Sequence, residues 1–179
     1  MWRLGCRDAE GVLHVSASAY NVLFLCTGNS VRSVLAEAQL NAFGQGRFKA
    51  FSAGSSPTGR INPVTLELLQ SMGLSTDGLR SKSWDEFAAP HGPPMDFVFT
   101  VCDHAAGEQC PYWPGQPISA HWGVPDPAVV GGTDEQKRRA FKDVAATLRR
   151  RVELLVNLPV AKLDGIALAQ KLKEIGKTQ

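Results

Sequence analysis

Short, wholly apolar runs alternate with segments whose apolar positions recur at helical spacing along most of this chain. Asn21-Val22-Leu23-Phe24-Leu25 is an apolar run of buried-strand type that ends at a loop containing Gly28 and Asn29. From Ser33, the positions Val34, Leu35, Ala38 and Phe43, with polar residues between, predict an amphipathic helix closed by Gly44. Residues 48–52 read as a second strand, broken by Ala53-Gly54-Ser55-Ser56-Pro57. Val64, Leu66, Leu68, Leu69 and Met72 predict a second helix ended by Gly73, and Ser83-Trp84-Asp85-Glu86 a short helical turn. Residues 96–101 form a third buried strand. Residues 102–116, with two prolines and two glycines, form a long loop. A short fourth strand is expected at 117–120, before the turn Gly123-Val124-Pro125-Asp126-Pro127. A long helix over about 133–157 carries Phe141, Val144, Leu148, Val152 and Leu155 on one stripe. Pro159 stops it, and residues 163–175 give one more amphipathic helix.

Strands alternating with helices imply an α/β three-layer sandwich around a central four-stranded parallel sheet. In such sheets the ligand crevice lies outside the carboxyl ends of the strands. The loops that begin at Cys26 and Cys102, and the Asp126 turn, all follow strand ends, so chemistry is expected to converge there. With 179 residues the chain fits one domain with a substantial core. Three segments are expected: an N-terminal extension over 1–20, poorly ordered; a domain over 21–159; and a helical tail over 160–179. The extension lacks the continuous apolar stretch of a signal peptide, so a cytoplasmic location is expected.

A formal charge of +2 with no long Lys/Arg block argues against nucleic-acid or membrane partners. Any affinity for anions must then come from a local site. Four cysteines occur, at 6, 26, 102 and 110. A chain with this much core in a reducing compartment does not need disulfide staples, so loop cysteines read as reactive or metal-binding groups. Cys6 lies in the extension and is assigned no role.

Cys26-Thr27-Gly28-Asn29-Ser30-Val31-Arg32-Ser33 sits between the first strand and the first helix and describes an oxyanion cradle. Backbone N–H groups of a tight loop and the helix N-terminus supply positive potential. Arg32 adds a planar fork for two oxygens of a tetrahedral anion. In that field a thiol loses its proton readily, so Cys26 is the expected nucleophile, with Ser33 donating to its sulfur. Gly28 permits a turn that a side chain would obstruct. A strand-end cysteine and a solvated arginine would be the bland alternative, but the strand, glycine and helix around them favour the cradle. No Gly-Lys-Ser/Thr follows, so this is not an ATP-binding loop.

Cys-x5-Arg-Ser after a first strand resembles the phosphate loop of low-molecular-weight protein tyrosine phosphatases. The wording Cys-Thr-Gly-Asn-Ser-x-Arg-Ser followed by Ala36-Glu37-Ala38 is closer to the arsenate reductases of that superfamily. Phe51-Ser52-Ala53-Gly54 and His121-Trp122-Gly123-x-x-Asp126-Pro127 resemble the same reductases, and the likeness runs from about 21 to 159. The resemblance implies a flavodoxin-like fold. It also implies that residues 27–32 (Thr27, Gly28, Asn29, Ser30, Val31, Arg32) bind the oxyanion and that Asp126 protonates the departing oxygen. An Asp before Pro is also a common turn starter. Phosphatases of the family follow this Asp-Pro with aromatic residues that wall in phosphotyrosine, whereas this chain has Ala128-Val129-Val130.

Reducing As(V) to As(III) takes two electrons, so a reductase needs a second thiol that a phosphatase does not. The resemblance implies a cascade: Cys26 forms a thiol–arsenate adduct, Cys102 attacks Cys26 and releases arsenite, and Cys110 then attacks Cys102. Seven residues separate Cys102 from Cys110, one more than expected for thioredoxin-coupled reductases. That leaves both thioredoxin and glutathione with glutaredoxin as candidate reductants. Val31 stands where the phosphatases carry a second loop cysteine, so the partner of Cys26 must come from elsewhere, which favours Cys102. Structural cysteines, or a zinc site of Cys102, His104, Cys110 and His121, are the alternatives for that pair. In some relatives residues matching Asn29, Glu37, Ser52 and Asp85 hold a potassium ion, and no tightly bound cofactor is expected besides it. Three readings follow: an arsenate reductase, a tyrosine phosphatase using only Cys26, Arg32 and Asp126, or a non-catalytic oxyanion or redox sensor with the C-terminal segment as a partner surface. Serine in place of Cys110 should leave a phosphatase unaffected.

Overall fold

The computed structural model describes residues 19–179; most of the expected N-terminal extension, and Cys6 with it, lies outside them. Strand β1 (Tyr20–Cys26) leads into helix α1 (Arg32–Phe43), then β2 (Phe48–Gly54) and α2 (Pro63–Ser71). A 3-10 turn over Trp84–Phe87 precedes β3 (Phe97–Thr100), and α3 (Asp103–Gly107) precedes β4 (Ile118–His121). Helices α4 (Asp134–Asn157) and α5 (Gly165–Ile175) complete the chain. The strands form one parallel sheet in the order β2-β1-β3-β4, so the expected α/β fold around a four-stranded parallel sheet is what the chain builds, with its long helices on one face.

The ends of the elements follow from local chemistry. Asn62 caps α2 through Val64 N–H, with Pro63 at its first position. Thr133 and Gln136 form a capping box at α4, and Asp164 caps α5 through Ile166 and Ala167. The long loop expected after Cys102 contains a helix instead. Cys102 acts as its cap, its sulfur accepting the Ala105 N–H at 3.4 Å. Sulfur is an uncommon helix cap, and the glycines and prolines beyond it masked one short turn of helix.

Alternation along β1 sends Val22, Phe24 and Cys26 to one face of the sheet and Leu23 and Leu25 to the other. The first face packs on α1, α4 and α5 through Leu35, Leu40, Leu148, Leu155 and Leu172, all fully buried. The second is covered without a long helix, by Phe87, Met95 and Trp113, with Trp84 against Trp113. In register, Cys26 lies opposite Gly54 and Leu25 opposite Thr100, which itself faces His121. The carboxyl ends of all four strands thus form one rim.

Helix α5 is bound into the core, with Leu168, Leu172 and Ile175 buried, so its apolar face is already covered. Trp122 is fully buried, stacks on Phe99 with ring centroids 4.1 Å apart, and donates its indole N–H to the Leu172 carbonyl at 3.0 Å. Arg151, buried on α4, donates to the carbonyls of Trp122 (2.7 Å), Gly123 (3.2 Å) and Thr178 (2.9 Å). The C-terminal segment therefore anchors the turn that carries Asp126. No helix among the described residues is long and apolar enough to cross a membrane.

Candidate active site

The loop from Cys26 to Arg32 is held by its carbonyls. Thr27 O accepts from Ser56 N–H (3.0 Å), Gly28 O from Thr58 N–H (3.0 Å), and Ser30 O from Asn62 N–H (3.1 Å). In a trans peptide the N–H opposes the carbonyl. The N–H groups of Gly28, Asn29 and Val31 are therefore turned the other way, into the bowl. The Asn29 N–H donates to Cys26 Sγ at 3.2 Å. Asn29 itself has φ of 43°, a left-handed conformation that asparagine tolerates better than most residues.

Asn29 is fully buried and its amide orders the hydrogens around the nucleophile. Its Oδ1 accepts the Lys82 N–H at 2.8 Å, so its Nδ2 donates, to Ser33 Oγ at 3.0 Å and Ser52 Oγ at 2.8 Å. The Ser33 hydroxyl, accepting from Asn29, has its own proton free for Cys26 Sγ at 2.9 Å. The Ser52 hydroxyl likewise donates to Glu37 Oε2 at 2.5 Å. Two donors thus aim at the Cys26 sulfur.

Arg32 opens α1, and its Nη2 lies 2.9 Å from Asp126 Oδ2 while Nη1 donates to Val124 O at 3.4 Å. The other Asp126 oxygen accepts Ala128 N–H at 3.0 Å. Asp126 is therefore at once the turn starter and a group facing the bowl. Cys102 Sγ lies 3.7 Å from the Thr27 hydroxyl. With Arg32, Asp103, His104, Gly123 and Asp126 it lines an open cleft of ≈ 470 Å³. Nucleophile, arginine, carboxylate and second thiol thus come together from three separate stretches of chain, Cys26 and Arg32 sharing one.

Cys110 is not among them. It is exposed and lines a different, larger cleft with Trp113, His121, Lys173 and Lys177. Partial desolvation against the cleft wall, followed by the negative charge of Glu108, pushes its thiol up. Cys26, Cys102 and Cys110 are all free thiols. The residues weighed as a zinc site do not converge either. His104 pairs with Glu108, His121 with Asp103 and Thr100, and no group of three His, Cys, Asp or Glu is placed to hold a metal among the described residues.

Two site residues escaped the sequence. Lys82 is nearly buried beside Glu37, its Nζ 3.6 Å from Oε2, with side chains 6% and 9% exposed. Burial pushes Glu37 up, opposed chiefly by the Lys82 charge, and burial pushes Lys82 down, opposed chiefly by Glu37. Nothing in Ser81-Lys82-Ser83 marks a buried lysine; its place follows from the lone parallel bridge between Gly54 and Ser83. Gly54 is the other: a Cβ there would meet Thr27 O at 2.3 Å. Its presence in Phe51-Ser52-Ala53-Gly54 was the available signal.

A strand-end cysteine, a loop with inward amides and an arginine at the following helix start define a class of α/β proteins built to receive a tetrahedral oxyanion. Residues 21–165 match the family described as low molecular weight phosphotyrosine protein phosphatase, and the chain belongs to that family. An arsenate reductase of Halalkalibacterium halodurans is 33% identical over 132 residues, which is 74% of this chain and 91% of that protein. A glutaredoxin arsenate reductase of Synechocystis is 28% identical over 135 residues, 75% of this chain and 95% of that protein. The solved structure of an arsenate reductase in the phosphate binding state aligns with a TM-score of 0.60 at 26% identity, covering 76% of this chain and 96% of that one. The resemblance expected from the loop wording thus extends over the whole domain.

Proposed function

We propose that this chain reduces arsenate to arsenite for arsenic detoxification, in the reducing environment of the cytoplasm. One observation carries the reading: a second buried thiol, Cys102, stands on the wall of the oxyanion cleft beside Thr27, one residue from the nucleophile. Hydrolysis of a phosphoester has no use for it. The similarity to proteins described as arsenate reductases supports the same reading.

In this scheme arsenate enters the bowl and takes the guanidinium of Arg32, which otherwise rests on Asp126. Asp126, released from that pair, protonates an arsenate hydroxyl. Cys26 attacks arsenic, the S–As bond forms, and water leaves. Cys102 then attacks the Cys26 sulfur. The S–S bond forms, the S–As bond breaks, and its electron pair stays on arsenic, which departs as arsenite. Two thiols are oxidised to a disulfide while As(V) gains two electrons. Cys110 is the candidate to carry the disulfide outward, and because it lines the other cleft it would have to approach Cys102 first. The reductant is thioredoxin, or glutathione with glutaredoxin; the likeness to a glutaredoxin arsenate reductase supports the second.

Membership of a phosphotyrosine phosphatase family favours one other reading, phosphoester cleavage through a Cys26 phosphocysteine. Arsenate-dependent NADPH consumption with each reductant system, on wild type and Cys102→Ser, decides between them. Turnover that disappears in Cys102→Ser supports the reductase. Absence of turnover with either reductant, together with aryl phosphate cleavage that survives Cys102→Ser, refutes it.

A further inference from the structure

The residues that would hold a potassium ion near the loop do not form a cation site in this chain. Asn29 Oδ1 is taken by the Lys82 N–H, and it is the Nδ2 of Asn29 that faces Ser52. The Ser52 proton points at Glu37. Asp85 is exposed, accepts from Ser83 Oγ at 2.9 Å, and contributes nothing to the cluster. The Glu37 charge already has a counter-ion, because Lys82 Nζ sits 3.6 Å from Oε2 and 3.3 Å from the Arg80 carbonyl. A second positive charge there would add an uncompensated cation to a nearly buried pair, which is costly.

We propose that the Lys82 ammonium is a tethered monovalent cation that replaces potassium beneath the oxyanion loop and holds Glu37, Ser52 and Asn29 in the order that positions Cys26. Lys82 fixes Glu37 as an acceptor, Glu37 fixes the Ser52 proton, and Ser52 fixes one Asn29 amide hydrogen. The other amide hydrogen fixes Ser33, which donates to Cys26. Lys82 also sets the Asn29 oxygen through its backbone N–H. Lys82 is thus a positioning residue that touches no substrate. An ammonium and a potassium ion are close in size, so removing the side chain should leave a vacancy that either ion can fill.

The inference rests on Cys26 as nucleophile but not on arsenate as substrate, so its test avoids arsenate. Thermal midpoint and the rate of Cys26 alkylation by iodoacetamide at fixed pH are measured on the full chain, in choline chloride and in potassium or ammonium chloride of equal ionic strength. Wild type should give the same values in all three salts. Lys82→Ala in choline chloride should melt about 10 °C lower, as expected when one partner of a buried ion pair is removed, and alkylate several-fold more slowly. Potassium or ammonium should restore at least half of both losses. Lys82→Met, which fills the space with an uncharged chain, should show the same losses without rescue. Should Lys82→Ala not fold in choline chloride, recovery on refolding in potassium chloride is the supporting result and failure to recover the refuting one. A wild type stabilised specifically by potassium, or a Lys82→Ala variant indifferent to the cation, overturns the inference. Arsenate turnover can fail without touching any of these outcomes.

Discussion

A single methyl group at Gly54 should disable the site, and the structure shows why. Gly54 ends β2 opposite Cys26, and an added Cβ would lie 2.3 Å from Thr27 O, 3.0 Å from Asn29 N and 3.1 Å from Asn29 Cβ. None of these atoms moves freely. Thr27 O holds the Ser56 N–H, Asn29 Oδ1 holds the Lys82 N–H, and the Gly54 N–H is itself bonded to Lys82 O at 3.0 Å. Restoring ordinary contact requires the loop or the strand end to retreat by about 1 Å, and misplacing reacting groups by that much costs roughly 100-fold in rate. Overpacking of this kind costs about 1–3 kcal/mol, which lowers the melting point by about 3–10 °C in a domain of this size. Gly54→Ala should therefore melt early, alkylate slowly at Cys26 and lose roughly two decades of kcat/KM for arsenate. Gly131→Ala, where an added Cβ meets nothing within 4 Å, is the control. Gly54→Ala with rate and midpoint both matching that control would show that the loop yields freely and that its pinned carbonyls do not hold the bowl.

Ser33→Ala removes the hydroxyl 2.9 Å from Cys26 Sγ; a hydrogen bond is worth about 0.5–1.5 kcal/mol, so alkylation at neutral pH should slow by about 2- to 10-fold. A change of less than twofold would deny Ser33 its place. Asp126→Asn weakens the hold on Arg32, so inorganic phosphate should bind at least as tightly by calorimetry. Turnover should nevertheless fall by roughly 100-fold under the role proposed for Asp126 as proton donor. Trp122→Phe keeps the stack on Phe99 but loses the bond to Leu172 O. It should cost about 1 kcal/mol in a denaturant melt, and no loss would mean that the C-terminal helix is held by apolar contact alone.

Much of this protein was legible along the chain, because the features concerned are local. Apolar runs of five residues mark strands buried on both faces, and recurring apolar positions mark the helix stripes. Side chains two or three residues away cap the helices, as Thr133 and Asn62 do. The Cys26–Ser33 segment was readable for the same reason, since strand, tight loop and helix start are contiguous. That these loops would converge at the strand ends was legible as well; what lay beyond reach was which atoms pair across the sheet. Arg32 and Asp126 meet over 94 residues, and Cys102 meets Thr27 over 75. Cys110, only eight residues past Cys102, is turned into another cleft by a helix that the glycines and prolines disguised. Lys82 reads as an ordinary surface lysine until the bridge at Gly54–Ser83 carries it under the loop to Glu37. Periodicity specifies which face of an element is buried. Which charged groups then share that burial depends on strand order and on how the connections close, and only the folded chain decides that.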